Sequence, residues 1–301
     1  MTATLPHSPT IVLACACDDA YAMPLGAALA SAAHWLHPTA RLAIHVLDGG
    51  LSPASRQKLV ACVPAARGAV SFHDITHSPI AGLDPGMHFT WIALARLLVP
   101  DLLPVDRALW LDSDTIVCAD LLDLWRTELG DAPIGAVRES TIGKHIPFAR
   151  DLGLDPAGPY CNAGVFVMDV AALRRADFTR RSLAFIHAHG ARLKYWDQDA
   201  INALTTHVPI DPRWNHIPAH DPADMSAIAA ARGRAHPHIV HFASVPKPWH
   251  WGYGYMRPYG EYFFHALALT PWRGWQPPVR LRQVLRASAP KLYEQLRRWR
   301  G

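Results

Sequence analysis

Residues 108–117 read ALWLDSDTIV, an apolar run that ends in two carboxylates two residues apart and is followed by a second apolar run. In an extended segment the side chains of residues i and i+2 point to the same side, so Asp112 and Asp114 can close on one cation. Carboxylates are hard oxygen ligands, and with a diphosphate supplying further oxygens they form a site for Mg²⁺ or Mn²⁺. Acids that merely cap the turn after a buried strand give the same pattern, so both interpretations stay open.

The amino-acid composition of the chain is typical of a globular protein with a large apolar core. The chain has 301 residues, of which half are hydrophobic and 18% are charged, so it can bury the core of one large α/β domain. Its five cysteines are odd in number and lack paired C-x-x-C spacing, which argues against a disulfide framework or a zinc site. The apolar run at residues 11–17 is stopped by Asp18 and Asp19, too early for a signal peptide or a membrane span. We therefore expect a cytoplasmic protein that folds on its own.

Apolar runs and helical patterns alternate along the chain, which predicts a mostly parallel sheet with flanking helices. Buried strands are predicted at residues 11–17, 42–47, 70–75 and 107–112, with further strands at 134–137, 165–168 and 239–242. Helices are predicted at residues 24–36, from Ser52-Pro53 onward, at 91–99 with Pro100 as the stop, and at 182–189 and 199–206. Ligands of such sheets bind beyond the carboxyl ends of the strands, where Asp18 and Asp112 fall. Neither familiar glycine-rich phosphate loop occurs, so a metal ion is the expected partner of a phosphate.

Two further segments carry side chains suited to a sugar. In YCNAGVFVMD (160–169), Asn162 both donates and accepts hydrogen bonds, and Gly164 lets a ring approach the backbone closely. An Asx-type turn that feeds a strand is the alternative for this segment. The segment YWDQDAIN (195–202) holds two acids and a Gln, of which helix capping accounts for one acid only. Sugar recognition would use all three.

A late segment pairs a histidine with a lysine. VHFASVPKPW, residues 240–249, places His241 at the end of a predicted strand and Lys247 six residues later. An imidazole nitrogen is a borderline ligand that suits Mn²⁺ better than Mg²⁺, and a lysine is a point charge that can meet a departing phosphate. Together with the two acids, this segment favours a metal and diphosphate site.

These segments together resemble glycosyltransferase family 8, the group of retaining enzymes that includes bacterial lipopolysaccharide galactosyl- and glucosyltransferases and glycogenin. The resemblance covers residues 11–275 and is greatest to the bacterial lipo-oligosaccharide α-galactosyltransferase type. It rests on five motifs in order: Asp-Asp-x-Tyr-Ala, Leu-Asp-x-Asp, Asn-Ala-Gly-Val, Asp-Gln-Asp and His-x5-Lys-Pro-Trp. It implies a GT-A fold, an α/β fold with a Rossmann-like, mostly parallel sheet on which a nucleotide sugar lies.

The resemblance also implies roles for individual residues, carried over by motif. The residues that look like ligands of Mn²⁺, with Mg²⁺ as the alternative, are Asp112, Asp114 and His241. The residues that match a uridine pocket are Ala16, Asp18 and Tyr21. The residues that match donor-sugar positions are Arg96, Asn162, Ala163, Gly164, Asp197 and Gln198. The residues expected near the diphosphate, or elsewhere in the donor site, are His88, Ser113, Ser244 and Lys247.

By the same resemblance, the protein is expected to move a hexose from UDP-galactose or UDP-glucose to a lipid-linked, lipopolysaccharide-type oligosaccharide with retention of configuration. The catalytic candidates are Asp197, Gln198 and Lys247. We favour front-face attack by the acceptor over double displacement, because Gln is a poor nucleophile and Asp197 is expected to bind sugar hydroxyls. The sequence does not separate galactose from glucose.

The sequence departs from the family pattern at Ala20, Met87 and Ser244, where members often carry Asn, Arg and Gly. Losing the Asn removes a hydrogen bond to uridine worth about 0.5–1.5 kcal/mol, which weakens donor binding without abolishing it. These departures keep open a non-catalytic UDP-sugar-binding module. A metal-dependent nucleotide-sugar hydrolase or nucleotidyltransferase is a further alternative, because it would also need paired carboxylates and a diphosphate. The intact metal and sugar-facing motifs favour an active transferase.

Basic charge is concentrated at the C-terminus. The net charge of +4 is not spread as a stripe with interleaved aromatics, so we expect no nucleic-acid partner. The basic residues of this end are Arg280, Arg282, Arg286, Lys291, Arg297, Arg298 and Arg300. With nearby aromatics they suit a segment lying on an anionic leaflet, although an ordinary solvated helix is the alternative. We predict a catalytic domain at residues 1–270 and a membrane-association segment at 271–301, which would make the protein peripheral at the inner face of the cytoplasmic membrane.

Overall fold

The computed structural model describes residues 9–83, 90–138, 149, 152, 154–155, 157–218, 236–243, 246–250 and 259–278. The strands in these ranges are β1 (Thr10–Cys17), β2 (Arg41–Asp48), β3 (Gly68–Asp74), β4 (Arg107–Leu111), β5 (Thr115–Val117), β6 (Ile134–Arg138), β7 (Cys161–Asp169), β8 (His207–Pro209) and β9 (Ile239–His241). The α-helices are α1 (Ala22–Trp35), α2 (Pro53–Ala61), α3 (Val99–Leu102), α4 (Leu121–Trp125), α5 (Val170–Arg175), α6 (Phe178–His189), α7 (Asp197–Leu204) and α8 (Gly260–Leu267). None of these helices is both long enough and apolar enough to cross a membrane.

Seven of the described strands form the central sheet, in the order β3-β2-β1-β4-β7-β6-β8. The pairings β3–β2, β2–β1, β1–β4 and β6–β8 are parallel, whereas β7 runs antiparallel to both β4 and β6. Strands β5 and β9 form a separate antiparallel pair. The predicted mostly parallel sheet with flanking helices is therefore confirmed, and one strand inside it is reversed.

Apolar side chains cover both faces of the sheet. Along β1, Leu13 and Cys15 pack on the face that carries α1 and α2, while Ala14 and Ala16 pack on the face that carries α5, α6 and α7. Burial on both faces explains why this strand is a continuous apolar run in the sequence. Because β1 and β4 are parallel neighbours, the residues that follow them emerge at the same edge of the sheet.

The segment before β4 differs from its prediction. Residues 91–99 were expected to form a helix that Pro100 ends, but Trp91–Leu98 is a 3₁₀ helix and α3 begins directly after it. Pro100 lies in the first turn of α3, where a missing backbone N–H needs no partner, so proline opens this helix.

Strand β7 begins earlier than predicted. The strand expected at 165–168 begins at Cys161, so the Asn-Ala-Gly triplet lies inside the strand and not in a turn ahead of it. The backbone N–H groups of Cys161 and Ala163 donate to the side-chain oxygens of Asn202 and Gln198. These side-chain amides bond to the backbone of β7 where β4 no longer pairs with it, so β7 stays extended beyond its pairing with β4. Both amides belong to α7, which begins two residues before the predicted start of its helix.

Candidate active site and metal centre

Asp112 and Asp114 lie in the tight turn that joins β4 to β5. The N–H and the hydroxyl of Thr115 both donate to the carbonyl of Asp112, at 3.2 and 2.7 Å, and close this turn. The N–H of Asp112 donates to the carbonyl of Gly164 in β7, at 2.9 Å. The prediction that strand alternation aligns the two acids is wrong, because it is the turn that brings their side chains together.

His241 joins the two carboxylates across the β5–β9 pair, where its backbone is in register with Thr115. Its Nε2 lies 3.3 Å from Oδ1 of Asp114 and 3.7 Å from Oδ2 of Asp112. One possible ligand atom from each of these three side chains lies within 4.8 Å of the others. The arrangement is therefore compact enough for all three to hold one metal ion.

Lys247 lies beside this cluster. Its Nζ is 2.6 Å from Oδ2 of Asp114 and donates to the carbonyl of Phe242, also at 2.6 Å. Burial acts to lower the pKa of Lys247, but the charge and hydrogen bond of Asp114 and the charges of Tyr21 and Asp112 together outweigh burial and raise this pKa above its ordinary value. Burial likewise acts to raise the pKa of Asp114, and the charge of Lys247, the largest opposing cause, brings it well below its usual range. The pair is therefore an ammonium facing a carboxylate.

Arg96 bridges the acid turn and α7 from a buried position. Its Nη2 lies 2.8 Å from Oδ1 of Asp112, and its Nε lies 3.0 Å from Oδ2 of Asp197. It also donates to the carbonyl of Ala163. Burial raises the pKa of Asp197 to about 6, against the opposing charge of Arg96. One guanidinium thus holds two acids and the start of β7 in a single arrangement.

The first turn of α7 supplies the other polar side chains of this region. Oε1 of Gln198 accepts from the N–H of Ala163 at 2.9 Å. Asp199 is fully buried and accepts from the N–H groups of residues 194–195 at 2.8 Å and from the hydroxyl of Tyr160. The expectation that Asp199 shares in sugar recognition is therefore wrong, because both of its oxygens are used within the protein.

The triplet Asn162–Gly164 of β7 lies beside the imidazole of His241. Oδ1 of Asn162 accepts from the N–H of Gly164 at 2.9 Å and from Nδ2 of Asn215 at 2.8 Å. A Cβ on Gly164 would lie 2.1 Å from Cε1 of His241. The ring that this glycine lets approach the backbone is therefore the imidazole of His241.

The side expected to bind uridine lies where β1 ends. Ala16 is buried in β1, and Oδ1 of Asp18 accepts from the N–H of Tyr21 at 3.1 Å, which caps the 3₁₀ turn Asp19–Tyr21. The half-buried Tyr21 ring meets Trp249 edge to face, with the ring centroids 5.7 Å apart. Burial raises the pKa of the Tyr21 hydroxyl, which therefore stays neutral at ordinary pH.

The remaining predicted residues divide into two groups. Ser113 lies in the turn between the two acids, whereas His88 and Ser244 lie outside the described residues.

Sequence reasoning missed Asn215, a buried side chain whose Oδ1 is 2.8 Å from Nδ1 of His241. No motif or spacing marks Asn215, because its contact with His241 depends on how distant segments pair.

Known proteins resemble this chain over most of its length. General stress protein A of Bacillus subtilis is 26% identical over 275 residues, which cover 87% of this chain and 94% of that protein. Lipopolysaccharide 1,2-glucosyltransferase of Escherichia coli is 24% identical over 186 residues, 58% of this chain and 53% of that enzyme. The crystal structure of the galactosyltransferase LgtC with donor and acceptor sugar analogues has 25% identity and a TM-score of 0.76, and covers 92% of this chain and 99% of that one.

The likeness to LgtC confirms the GT-A fold that the sequence motifs implied. The family model described as glycosyl transferase family 8 matches residues 12–251, which is most of the chain. This match spans the acid turn, the β7 triplet, the start of α7 and the segment from His241 to Lys247. The chain belongs to glycosyl transferase family 8.

Proposed function

We propose that the protein is a retaining hexosyltransferase that moves galactose or glucose from a UDP-sugar to a lipid-linked, lipopolysaccharide-type glycan. The observation that carries this proposal is the convergence of Asp112, Asp114 and His241 within 4.8 Å, with Lys247 beside them. The relatives support the substrate classes, since one is a lipopolysaccharide glucosyltransferase and another a galactosyltransferase.

The donor atoms of this site fit Mn²⁺, with Mg²⁺ as the alternative. Two carboxylate oxygens are hard ligands, and the imidazole nitrogen is a borderline ligand that Mn²⁺ accepts more readily than Mg²⁺ does. The charges also favour a bound cation, because among the described residues of this site three acids, Asp112, Asp114 and Asp197, face two cations, Arg96 and Lys247. A divalent ion held there would supply Lewis-acid stabilisation to a departing diphosphate.

Lys247 supplies the fixed positive charge of the proposed reaction. Cleavage of the bond between the sugar and the diphosphate leaves negative charge on the diphosphate oxygens. The ammonium of Lys247 is already held in place by Asp114 and the Phe242 carbonyl, so little reorganisation is needed as that charge develops. Preorganisation of this kind is the main electrostatic contribution that a side chain can make to catalysis.

Front-face transfer agrees best with the contacts of the two nucleophile candidates. Gln198 accepts from the Ala163 N–H and Asp197 pairs with Arg96, so an attack by either side chain would break an internal contact. In front-face transfer the acceptor hydroxyl oxygen bonds to the anomeric carbon, the bond to the diphosphate breaks on the same face, and the hydroxyl proton passes to a diphosphate oxygen. Isolation of a covalent glycosyl adduct on Asp197 or Gln198 would contradict this route.

A donor and acceptor assay tests the activity. The purified protein with Mn²⁺ would be given UDP-glucose, UDP-galactose and UDP-N-acetylglucosamine, and UDP release would be followed with and without a truncated lipopolysaccharide. We expect acceptor-dependent release that is lost in Asp114→Asn and kept in Asp101→Asn, a matched change at an exposed acid. Release that ignores the acceptor would assign a hydrolase, and donor binding without release a binding module.

The C-terminal segment, residues 271–301, is proposed to hold the protein on an anionic membrane surface. Residues 279–301, with the basic cluster, lie outside the described residues. Before them, the Trp272 ring packs on Gly26 of α1, where a Cβ would be 2.5 Å from the ring, and the Lys58 ammonium lies 5.3 Å from the ring centroid. This indole thus attaches the segment to the catalytic fold, so the lipid contact in the proposal belongs to later residues.

Vesicle co-sedimentation of the full chain tests the membrane proposal. Replacing Arg297, Arg298 and Arg300 by Gln should reduce binding to anionic vesicles by roughly a hundredfold, because each basic residue near such a surface contributes about 1 kcal/mol and 1.4 kcal/mol corresponds to a factor of ten. The matched control replaces three exposed arginines of α5 and α6, at positions 175, 180 and 181, and should bind as the wild type does. Equal loss in both variants, or no loss in either, would reject the proposal.

A further inference from the structure

Asn215 lies between the candidate metal centre and β7. It is the last residue of the 3₁₀ turn Pro212–Asn215 and is only 4% exposed. The Oδ1 of its carboxamide is 2.8 Å from Nδ1 of His241, and its Nδ2 is 2.8 Å from Oδ1 of Asn162. The side chain therefore spans the space between a candidate metal ligand and a neighbouring strand.

Backbone pairing fixes Asn215 against His241. The next residue, His216, forms a parallel bridge with Val240 of β9. Its N–H donates to the carbonyl of Ile239 at 3.0 Å, and its carbonyl accepts from the N–H of His241 at 2.8 Å. Two main-chain hydrogen bonds thus set the register between the residue after Asn215 and the histidine, so the contact of the two side chains follows from the fold.

A backbone group determines the direction of every hydrogen bond in this chain of contacts. The N–H of Gly164 can only donate, so the atom of Asn162 that faces it at 2.9 Å must be the amide oxygen. That oxygen also faces Asn215, which must therefore turn its NH₂ group toward Asn162 and its oxygen toward His241. An amide oxygen can only accept, so Nδ1 of His241 carries the hydrogen.

We infer that Asn215 is a positioning residue that keeps a hydrogen of His241 on Nδ1 and thereby leaves Nε2, the nitrogen that faces Asp112 and Asp114, to bind the metal. A neutral imidazole binds a metal through the nitrogen that lacks a hydrogen, and the partner of the other nitrogen decides which one that is. This inference rests on the proposed function only in taking these side chains as the metal site. Partners of metal-binding histidines typically change metal affinity 10- to 100-fold when they are removed.

Nuclear magnetic resonance of the metal-free full chain, at an alkaline pH where the imidazole is neutral, tests the tautomer directly. Histidines labelled with ¹⁵N give different nitrogen shifts for the two tautomers, and the signal of His241 is identified by its absence in His241→Gln. We expect the Nδ1–H form in the wild type and in Asn215→Asp, whose carboxylate still accepts from Nδ1. In Asn215→Ala we expect loss of the single tautomer. The Nε2–H form in the wild type would overturn the inference.

Titration with Mn²⁺ alone, followed by the electron paramagnetic resonance of the free ion, gives the second readout. We expect at least a tenfold weaker Kd in Asn215→Ala and a smaller loss in Asn215→Asp, which keeps an acceptor for Nδ1 of His241 but turns an oxygen toward Oδ1 of Asn162. The matched control Asn202→Ala removes a carboxamide that bonds to Cys161 and Gln198, and should keep the wild-type Kd even if it unfolds more easily.

The outcomes distinguish a failure of the role of Asn215 from a failure of the proposed metal site. Wild-type affinity in Asn215→Ala, or equal loss in Asn215→Ala and Asn202→Ala, would overturn the role of Asn215. If the wild type itself binds no Mn²⁺, the proposed metal site fails, and the resonance experiment still decides which tautomer Asn215 imposes. If Asn215→Ala does not fold, the Asp variant decides, because a tautomer other than the wild-type one in that protein contradicts the inference.

Discussion

The imidazole of His241 lies against the backbone of Gly164, and no larger residue fits between them. A Cβ at this position would lie 2.1 Å from Cε1, 2.5 Å from Nδ1 and 2.9 Å from Nε2 of the ring. Real atoms do not approach so closely, and the ring is also enclosed by Asn215 and the two acids. The glycine is therefore a condition for the candidate metal centre as well as a part of β7.

Gly164→Ala should weaken Mn²⁺ binding at least tenfold, because the imidazole must turn away from Asp112 and Asp114. The binding is measured by titration of the metal-free protein with Mn²⁺. Gly190→Ala is the matched control, since its Cβ would meet only the Trp196 ring at an ordinary 3.5 Å. Unchanged Mn²⁺ affinity in the Gly164 variant would contradict the assignment.

Asp197 should give the reaction a step in its pH dependence. Burial raises the pKa of this carboxyl to about 6, so it is ionised above that pH and protonated below it. Protonation weakens the ion pair with Arg96, which also holds Asp112, so kcat/KM for the donor should fall as the pH drops through about 6. The Asp197→Asn variant is neutral at every pH and should lack this step. A step of equal size in both profiles would assign the titration to another group.

Strands whose environment is uniform could be predicted from sequence, and elements that depend on distant partners could not. Strand β1 is buried on both faces, so its apolar run is continuous and its end beside Asp18 could be predicted from the sequence. The early start of β7 could not be predicted, because its partners there are distant in sequence: side chains of α7 beyond the pairing with β4, and Arg138 of β6 on the other side. Asn215 was missed for a related reason: its contact with His241 requires the pairing of His216 with Val240, which local sequence does not encode.

The residue before α7 carries backbone strain. Trp196 has φ 40° and ψ −93°, a region that residues with a Cβ rarely adopt. Strain of this kind costs of order 1–3 kcal/mol and persists only where the surroundings enforce it. Here it orients the first turn of α7, which carries Asp197 and Gln198.

Trp196→Gly should be more stable than Trp196→Ala by about 1 kcal/mol, because glycine adopts this backbone conformation without strain. Both variants lose the same indole, so the packing loss cancels in the comparison. At an ordinary helix position the order is reversed, since alanine is then favoured by roughly 0.5–1 kcal/mol. Urea unfolding of the two proteins measures the difference, and an alanine variant of equal or greater stability would rule out the strain.

Across the whole molecule, folding changes the proton affinity of several histidines away from the candidate site. Burial lowers the pKa of His45, His73, His207 and His238. His45 and His73 also face each other on β2 and β3, with Nδ1 of one 2.9 Å from Nε2 of the other. The folded protein therefore binds protons at these four positions less readily than the unfolded chain does.

The free energy of unfolding should consequently decrease as the pH falls from about 7 to about 5. An unfolded histidine takes up its proton near pH 6.5, before its folded counterpart does, and the slope of stability with pH follows the difference in bound protons. Asp197 and Asp112 act in the opposite sense, because their raised pKa values let the folded state bind a proton first, but they are two groups against four. Urea unfolding at pH 7, 6 and 5 measures the slope.

His73→Gln removes one of the four titrations while leaving an amide that can bond to His45, so the free energy of unfolding of this variant should depend less steeply on pH. Stability that is constant or increasing between pH 7 and 5 in the wild type would show that burial of these histidines does not control the acid response.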